Sequence, residues 1–163
     1  MELWITWWIL VQQLRPAFVR TRTFIWFAAA LAATCIRSDL AGITSLIRAL
    51  GLKEFCYDRM LDFFHSKAID LECLTRQWVS VLIKTLKPFL HTVNGRILLL
   101  ADGIKVGKTG RKMPGVKKLH QESDNSAKAP WIFGHHFGIV GLLAGGLIKD
   151  VSMPLVAELH EGA

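Results

Sequence analysis

Apolar residues recur in two rhythms along this chain, and the change between them divides it. Up to about residue 92 the spacing is helical. Two apolar runs come first, Leu3–Leu14 and Phe24–Ile36, with Pro16 either separating two helices or opening the second. Ser38-Asp39 is a helix start signal. Leu40, Ile43, Leu46, Ile47 and Leu50 follow at helical spacing, and Gly51 closes that helix. A further helix is predicted over about Glu54–His65, with Phe55, Met60, Leu61, Phe63 and Phe64 as its apolar content. The next begins near Asp70. Its stripe is Leu71, Leu74, Trp78, Val81, Leu82, Leu86 and Phe89, and Pro88 ends it. Helices so spaced suit a helix-turn-helix DNA reader or a packing bundle. Their apolar content favours the bundle.

From residue 93 the apolar residues come in short continuous runs instead. Asn94-Gly95 is a turn signal, and Ile97–Ala101 after it reads as a strand buried on both faces. Trp131–Leu143 is a second strand, paired with Ile97–Asp102, in which Gly134, Gly138 and Gly141 mark bulges or close backbone approach. His135 and His136 then face opposite sides, and one of them could point toward Asp102 across the sheet. Neighbouring strand histidines are more often satisfied polar residues than ligands, since a metal site needs convergent donors. Val151–Leu159 is a third strand, with Pro154 hinting at an edge position or a bulge. The fold class expected is α+β: a helical region over residues 1–92, then a sheet region over 93–163. Three strands with an open edge leave a core unfinished, so the chain is expected to be the front part of a larger protein.

Composition adds three constraints. Apolar residues make up 52% of the chain, enough for a real core, while a net charge of +7 makes an anionic partner plausible. Cys35, Cys56 and Cys73 stand at unrelated spacings, which gives neither a disulfide framework nor a metal pattern and fits a reduced, cytoplasmic setting. Neither N-terminal apolar run reaches the roughly 20 residues of a spanning helix, and lengths like these more often mean buried core helices. The first run has Glu2 as its only early charge, which argues against a signal peptide. Trp4, Trp7 and Trp8 would nevertheless suit a membrane interface.

The candidate chemistry lies between Asn94 and Val116, in NGRILLLADGIKVGKTGRKMPGV. Asp102 follows five apolar residues and is expected at the carboxyl end of its strand, or just inside it, where it caps something or holds a cation. Lys105, Lys108, Arg111, Lys112, Lys117 and Lys118 come next with no acid between Gly103 and His120. An unopposed cationic stretch is a footprint for a polyanion. A metal-binding acid beside phosphate-binding cations is what phosphodiester chemistry needs. Equally, Asp102 could be a turn residue and the lysines a solvated loop. Two motifs are decoys. Gly103-Ile-Lys-Val-Gly107-Lys108-Thr109 has three residues between its glycines where a P-loop needs four, and Gly110, Pro114 and Gly115 forbid the helix that should follow. His120-Gln121-Glu122 has the zinc deaminase spacing, but every cysteine lies upstream of it.

The segment LLLADGIKVGKTGRKMPGVKKLHQESDNSAKAPWIFGHHFGIVGLL resembles the region around the first catalytic Asp of bacterial insertion-sequence transposases of the DDE type. HSKAIDLECLTRQWVSVLIK before it and PLVAELHEG after it are also similar to parts of such proteins. The resemblance covers essentially the whole chain and is most specific over Leu98–Gly141. It implies an N-terminal helical region followed by the first strands of an RNase H-like mixed sheet. In the full-length parent, three acids hold Mg2+ for cleavage and transfer of transposon DNA. Asp102 matches the first acid, as catalytic residue and metal ligand; Asp150, Glu158 and Glu161 are not promoted to the other two places. The implied partner is DNA at transposon ends, with no small-molecule substrate and room for a homodimer. Lys105, Lys108, Arg111 and Lys112 are assigned as phosphate contacts on charge alone. Lacking the second Asp and the Glu, this chain is expected to be inactive by itself. The alternatives are a non-catalytic DNA-binding module, including a pseudogene product that keeps the basic surface, and a small membrane-associated protein.

Overall fold

The structure is a computed structural model. It describes residues 2–39, 42–110, 112–121, 129–146 and 148–160. Among the described residues five α-helices precede six strands, so the chain is α+β. It divides into two compact units, Met1–Val81 and Leu82–Ala163. That division falls earlier than the change of rhythm near residue 92. Leu90 bridges to Ala144, and the His91 N–H donates to the Leu143 carbonyl at 3.0 Å, which ties the segment before the strands to the sheet.

The N-terminal unit is built on its second helix. Helix α1 spans Glu2–Gln12 and α2 spans Thr21–Ile36, with Pro16 in a 3-10 turn, Arg15–Ala17, that separates them. Helices α3 (Gly42–Ala49) and α4 (Cys56–Phe64) follow, and α5 (Leu71–Leu86) begins within this unit. One core cluster joins Val11, Ala17, Phe18, Phe24 and Ala28, with Leu74 of α5 packed against it. A second joins Ala30, Ile47, Met60 and Phe63. Helix α2 supplies residues to both, Phe24 and Ala28 to the first and Ala30 to the second, while Ile25 and Ile36 stay exposed. The Ile47–Met60–Phe63 packing is that of a bundle in which α3 and α4 close on α2.

Local signals explain the helix ends. Gly51, at φ 62°, allows the Leu52 N–H to reach back to the Ile47 carbonyl at 3.0 Å, a Schellman closure of α3. Asp70 caps α5, its Oδ1 accepting the Cys73 N–H at 2.9 Å. Helix α5 stops at Leu86, and Pro88 sits in the 3-10 turn that follows. The α1 expectation is corrected. Its apolar residues are not a buried core face, because Leu3, Trp4, Ile5 and Ile9 are all exposed and Val11 is its buried residue. No helix among the described residues is long and apolar enough to cross a membrane.

In the C-terminal unit, β1 (Thr92–Val93) and β2 (Arg96–Ile97) form a two-residue hairpin around Asn94-Gly95. Both turn residues have positive φ, 51° and 74°, as a type I′ turn requires. Strands β3 (Leu99–Gly107), β4 (Lys117–His120), β5 (Trp131–Ala144) and β6 (Val151–Leu159) make one sheet. Strand β5 is central and pairs with the other three. Every pairing among the described residues is antiparallel. The expected pairing of the second strand with Asp102's strand is present, with Asp102 opposite Ile139. Pro154 stands opposite Gly141, where the β5–β6 register shifts, and among the described residues β6 pairs with β5 alone, so β6 has both the irregularity and the edge position that the proline suggested as alternatives. Strand β3 differs from expectation in burial. It is exposed over nearly its whole length, with Lys105 its one half-buried residue.

Candidate nucleic-acid interface

Asp102 is the fourth residue of the nine-residue strand β3, not its end. The strand continues through Gly103-Ile104-Lys105-Val106-Gly107, residues whose composition reads as loop, because β5 offers each a partner down to Gly107↔Gly134. The ladder extends one step further, with the Lys108 N–H donating to the Phe133 carbonyl at 2.8 Å. Two glycines make this pairing feasible. A Cβ on Gly134 would lie 2.3 Å from the Val106 carbonyl oxygen. A Cβ on Gly103 would lie 2.6 Å from Nε2 of His136, so that imidazole rests against the backbone beside Asp102.

Alternation along β3 then sorts the candidate residues. Asp102, Ile104 and Val106 share one face; Gly103, Lys105 and Gly107 share the other. Asp102 and Lys105 therefore point to opposite sides of the sheet. Lys108 has Asp102's parity but lies six residues on, roughly 20 Å at strand rise. Lys112 is exposed beyond the strand, in the turn before β4. Arg111 lies outside the described residues. The structure thus places the lysines on one strand and its exit, and does not gather them around the carboxylate.

Each described side chain has a definite setting. Asp102 is exposed, and its Oδ1 accepts the N–H of Gly103 at 2.7 Å. Lys105 donates from Nζ to the His120 carbonyl at 2.8 Å. Lys108 lines an open cleft of about 600 Å3 with Gly107, Thr109, Ile132 and Phe133. Lys118 lies with Nζ 4.8 Å from the centre of the exposed Trp131 ring, and His120 meets the same ring edge-on at 4.8 Å. A cation and a flat ring held together suit a nucleic-acid strand, and the sequence reading did not pick this pair out. The signal was the strand pairing that sets Leu119 and His120 against Ile132 and Trp131, which no spacing rule reveals.

The two neighbouring histidines do face opposite sides. Nε2 of His135 lies 2.9 Å from the Pro114 carbonyl and donates to it, a satisfied polar residue. His136 packs edge-to-face with His160 at 5.6 Å. His91 meets Asp150 at 3.0 Å, which gives that acid a partner other than a metal. Among the described residues no three His, Cys, Asp or Glu side chains converge to hold a metal ion. Asp102 retains lone pairs beyond the one used by Gly103, so it fits as one carboxylate ligand of a hydrated Mg2+ and does not by itself make a site.

Comparison with family models, with curated proteins and with solved structures finds no match.

Proposed function

We propose that this chain handles DNA as the front part of a DDE-type transposase, with Asp102 the first metal-binding carboxylate of an RNase H-like core. The observation that carries the reading is an exposed carboxylate on β3, the first long strand of an antiparallel sheet in which β5 pairs with both β3 and β6, with exposed lysines beyond the exit of β3. An exposed carboxylate on a rigid strand can take a hydrated cation without displacing an existing ion pair. Bound there, Mg2+ would supply charge stabilisation at a phosphodiester. Asp102 would be one ligand, and the remaining acids lie outside any assignment made on this chain. Lys105, Lys108 and Lys112 would neutralise backbone phosphates, alongside Arg111, which stands on its sequence position alone. A cytoplasmic setting and a homodimer belong to the same reading.

The test is a salt series. Fluorescence anisotropy of a short labelled DNA duplex with the purified chain should give log K falling linearly with log salt. The slope should be about −0.9 for each phosphate neutralised. Lys105→Gln with Lys108→Gln and Lys112→Gln should flatten it by about 2 to 3. Absence of binding at about 50 mM salt would overturn the reading. Binding that is indifferent to Mg2+ and to Asp102→Asn would leave a non-catalytic DNA-binding module in its place.

A further inference from the structure

Three arginines in the N-terminal unit converge on one concavity. Arg20 and Arg22 flank the first residue of α2, and Arg59 comes from the middle of α4. They line a cavity of about 230 Å3 with Thr23, Trp26 and Asp62. Asp62 is the one acid among its lining residues against the three arginines, so the concavity is cationic. Among the described residues no ion pair engages any of the three arginines. Arg15 shows what a structural arginine in the same region does instead. It donates to the Phe18 carbonyl and to the Thr21 hydroxyl, and it lies 5.6 Å over the Phe24 ring.

The walls of the concavity are fixed. Phe63, which lines it, belongs to the core cluster with Ala30, Ile47 and Met60, and Trp26 packs against that cluster. Thr23, which also lines it, is 8% exposed. Three arginines against one aspartate leave an excess of positive charge at the concavity, and a bound anion offsets it. Guanidinium forks match phosphate oxygens in a bidentate manner, and they sit here beside a flat indole.

We propose that this arginine concavity binds a backbone phosphate of a nucleic-acid strand, a second contact site besides the lysines of β3. The assignment rests on the DNA reading above for the nature of its ligand. The site was not visible in the sequence, because Arg59 stands far along the chain from Arg20 and Arg22 and only the packing of α4 on α2 brings them together.

The experiment uses the full chain and the same labelled duplex. Arg20→Gln, Arg22→Gln and Arg59→Gln combined should flatten the salt slope by roughly 2, with the helical signal unchanged. A second readout needs no variant. Phenylglyoxal modification of the wild-type chain, mapped by peptide mass, should show Arg20, Arg22 and Arg59 protected by duplex DNA. An unchanged slope in the arginine variant, with the β3 lysine variant still flattened, overturns this site and leaves the DNA reading standing. Lack of binding by the wild-type chain overturns both. Protection by inorganic phosphate or by a poly-glutamate peptide equal to that by DNA marks a site for small anions or acidic peptides, and overturns the nucleic-acid assignment.

Discussion

Gly134 is the position at which a single methyl group should do the most damage to the sheet. An added Cβ would stand 2.3 Å from the Val106 carbonyl oxygen, 2.9 Å from its carbonyl carbon and 3.1 Å from the Gly107 Cα. All three atoms are backbone, so no side chain can swing away. A carbon and a carbonyl oxygen come no closer than about 3.3 Å, so β3 and β5 must part by about 1 Å. Overpacking of this kind costs about 1–3 kcal/mol. The ladder bond from the Lys108 N–H to the Phe133 carbonyl, 2.8 Å long, is one step away and would stretch, at about 0.5–1.5 kcal/mol. Gly134→Ala is therefore expected to lose about 2–4 kcal/mol, or roughly 10–30 °C in melting temperature for a unit of this size. Gly138→Ala is the control on the same strand, because nothing lies within 4 Å of its Cβ. It should be neutral or gain about 0.4–1 kcal/mol by restricting the unfolded chain. Hydrogen exchange read by mass spectrometry in peptides covering β3 and β5 reports the sheet separately from the helices. Equal protection in Gly134→Ala and wild type, or equal loss in both glycine variants, would refute the close approach.

Two further outcomes test the helical unit. Met60 is fully buried between α2, α3 and α4, so Met60→Ala should destabilise that unit by about 2–5 kcal/mol in urea unfolding followed by far-UV circular dichroism; a shift under about 1 kcal/mol would mean the cluster is not a core. Asp70→Ala removes the acceptor of the Cys73 N–H and should cost about 1 kcal/mol, while Asp70→Ser should keep most of it; equal stability of the two variants would deny the cap.

Most of the fold was legible because its signals are local. Gly51, Asp70, Pro88 and Asn94-Gly95 each act within a few residues, and each stands at the element boundary that its chemistry predicts. The strand Trp131–Ala144 was legible from its length and its β-branched and aromatic content. Burial was harder to read. Trp4 of α1 is exposed while Trp26 of α2 packs against a core cluster, and what separates them is which helices pack on each, a property of the whole unit. The same holds for the apolar residues of β3, whose exposure depends on the neighbours the strand acquires and not on its own composition.

The site was less legible, for a reason that bears on how the lysines could act. Gly103, Lys105, Gly107 and Lys108 read as loop by residue type. In the structure Gly103 and Gly107 are strand glycines, one lying under the His136 ring and the other opposite Gly134 at the close approach. Once the segment is a strand, its spacing acquires a consequence that a loop would not have. Asp102 and Lys105 are three positions apart, which puts them on opposite faces, and Asp102 and Lys108 are six apart, roughly 20 Å along one face. At about 3.4 Å per nucleotide step, that distance spans roughly six nucleotides of a strand lying along β3. On the proposed reading, a lysine at the exit of β3 grips the backbone well away from any phosphate at Asp102. Lys108→Gln should then weaken DNA binding and flatten its salt slope while leaving metal-dependent behaviour at Asp102 unchanged, since no shared contact couples the two positions.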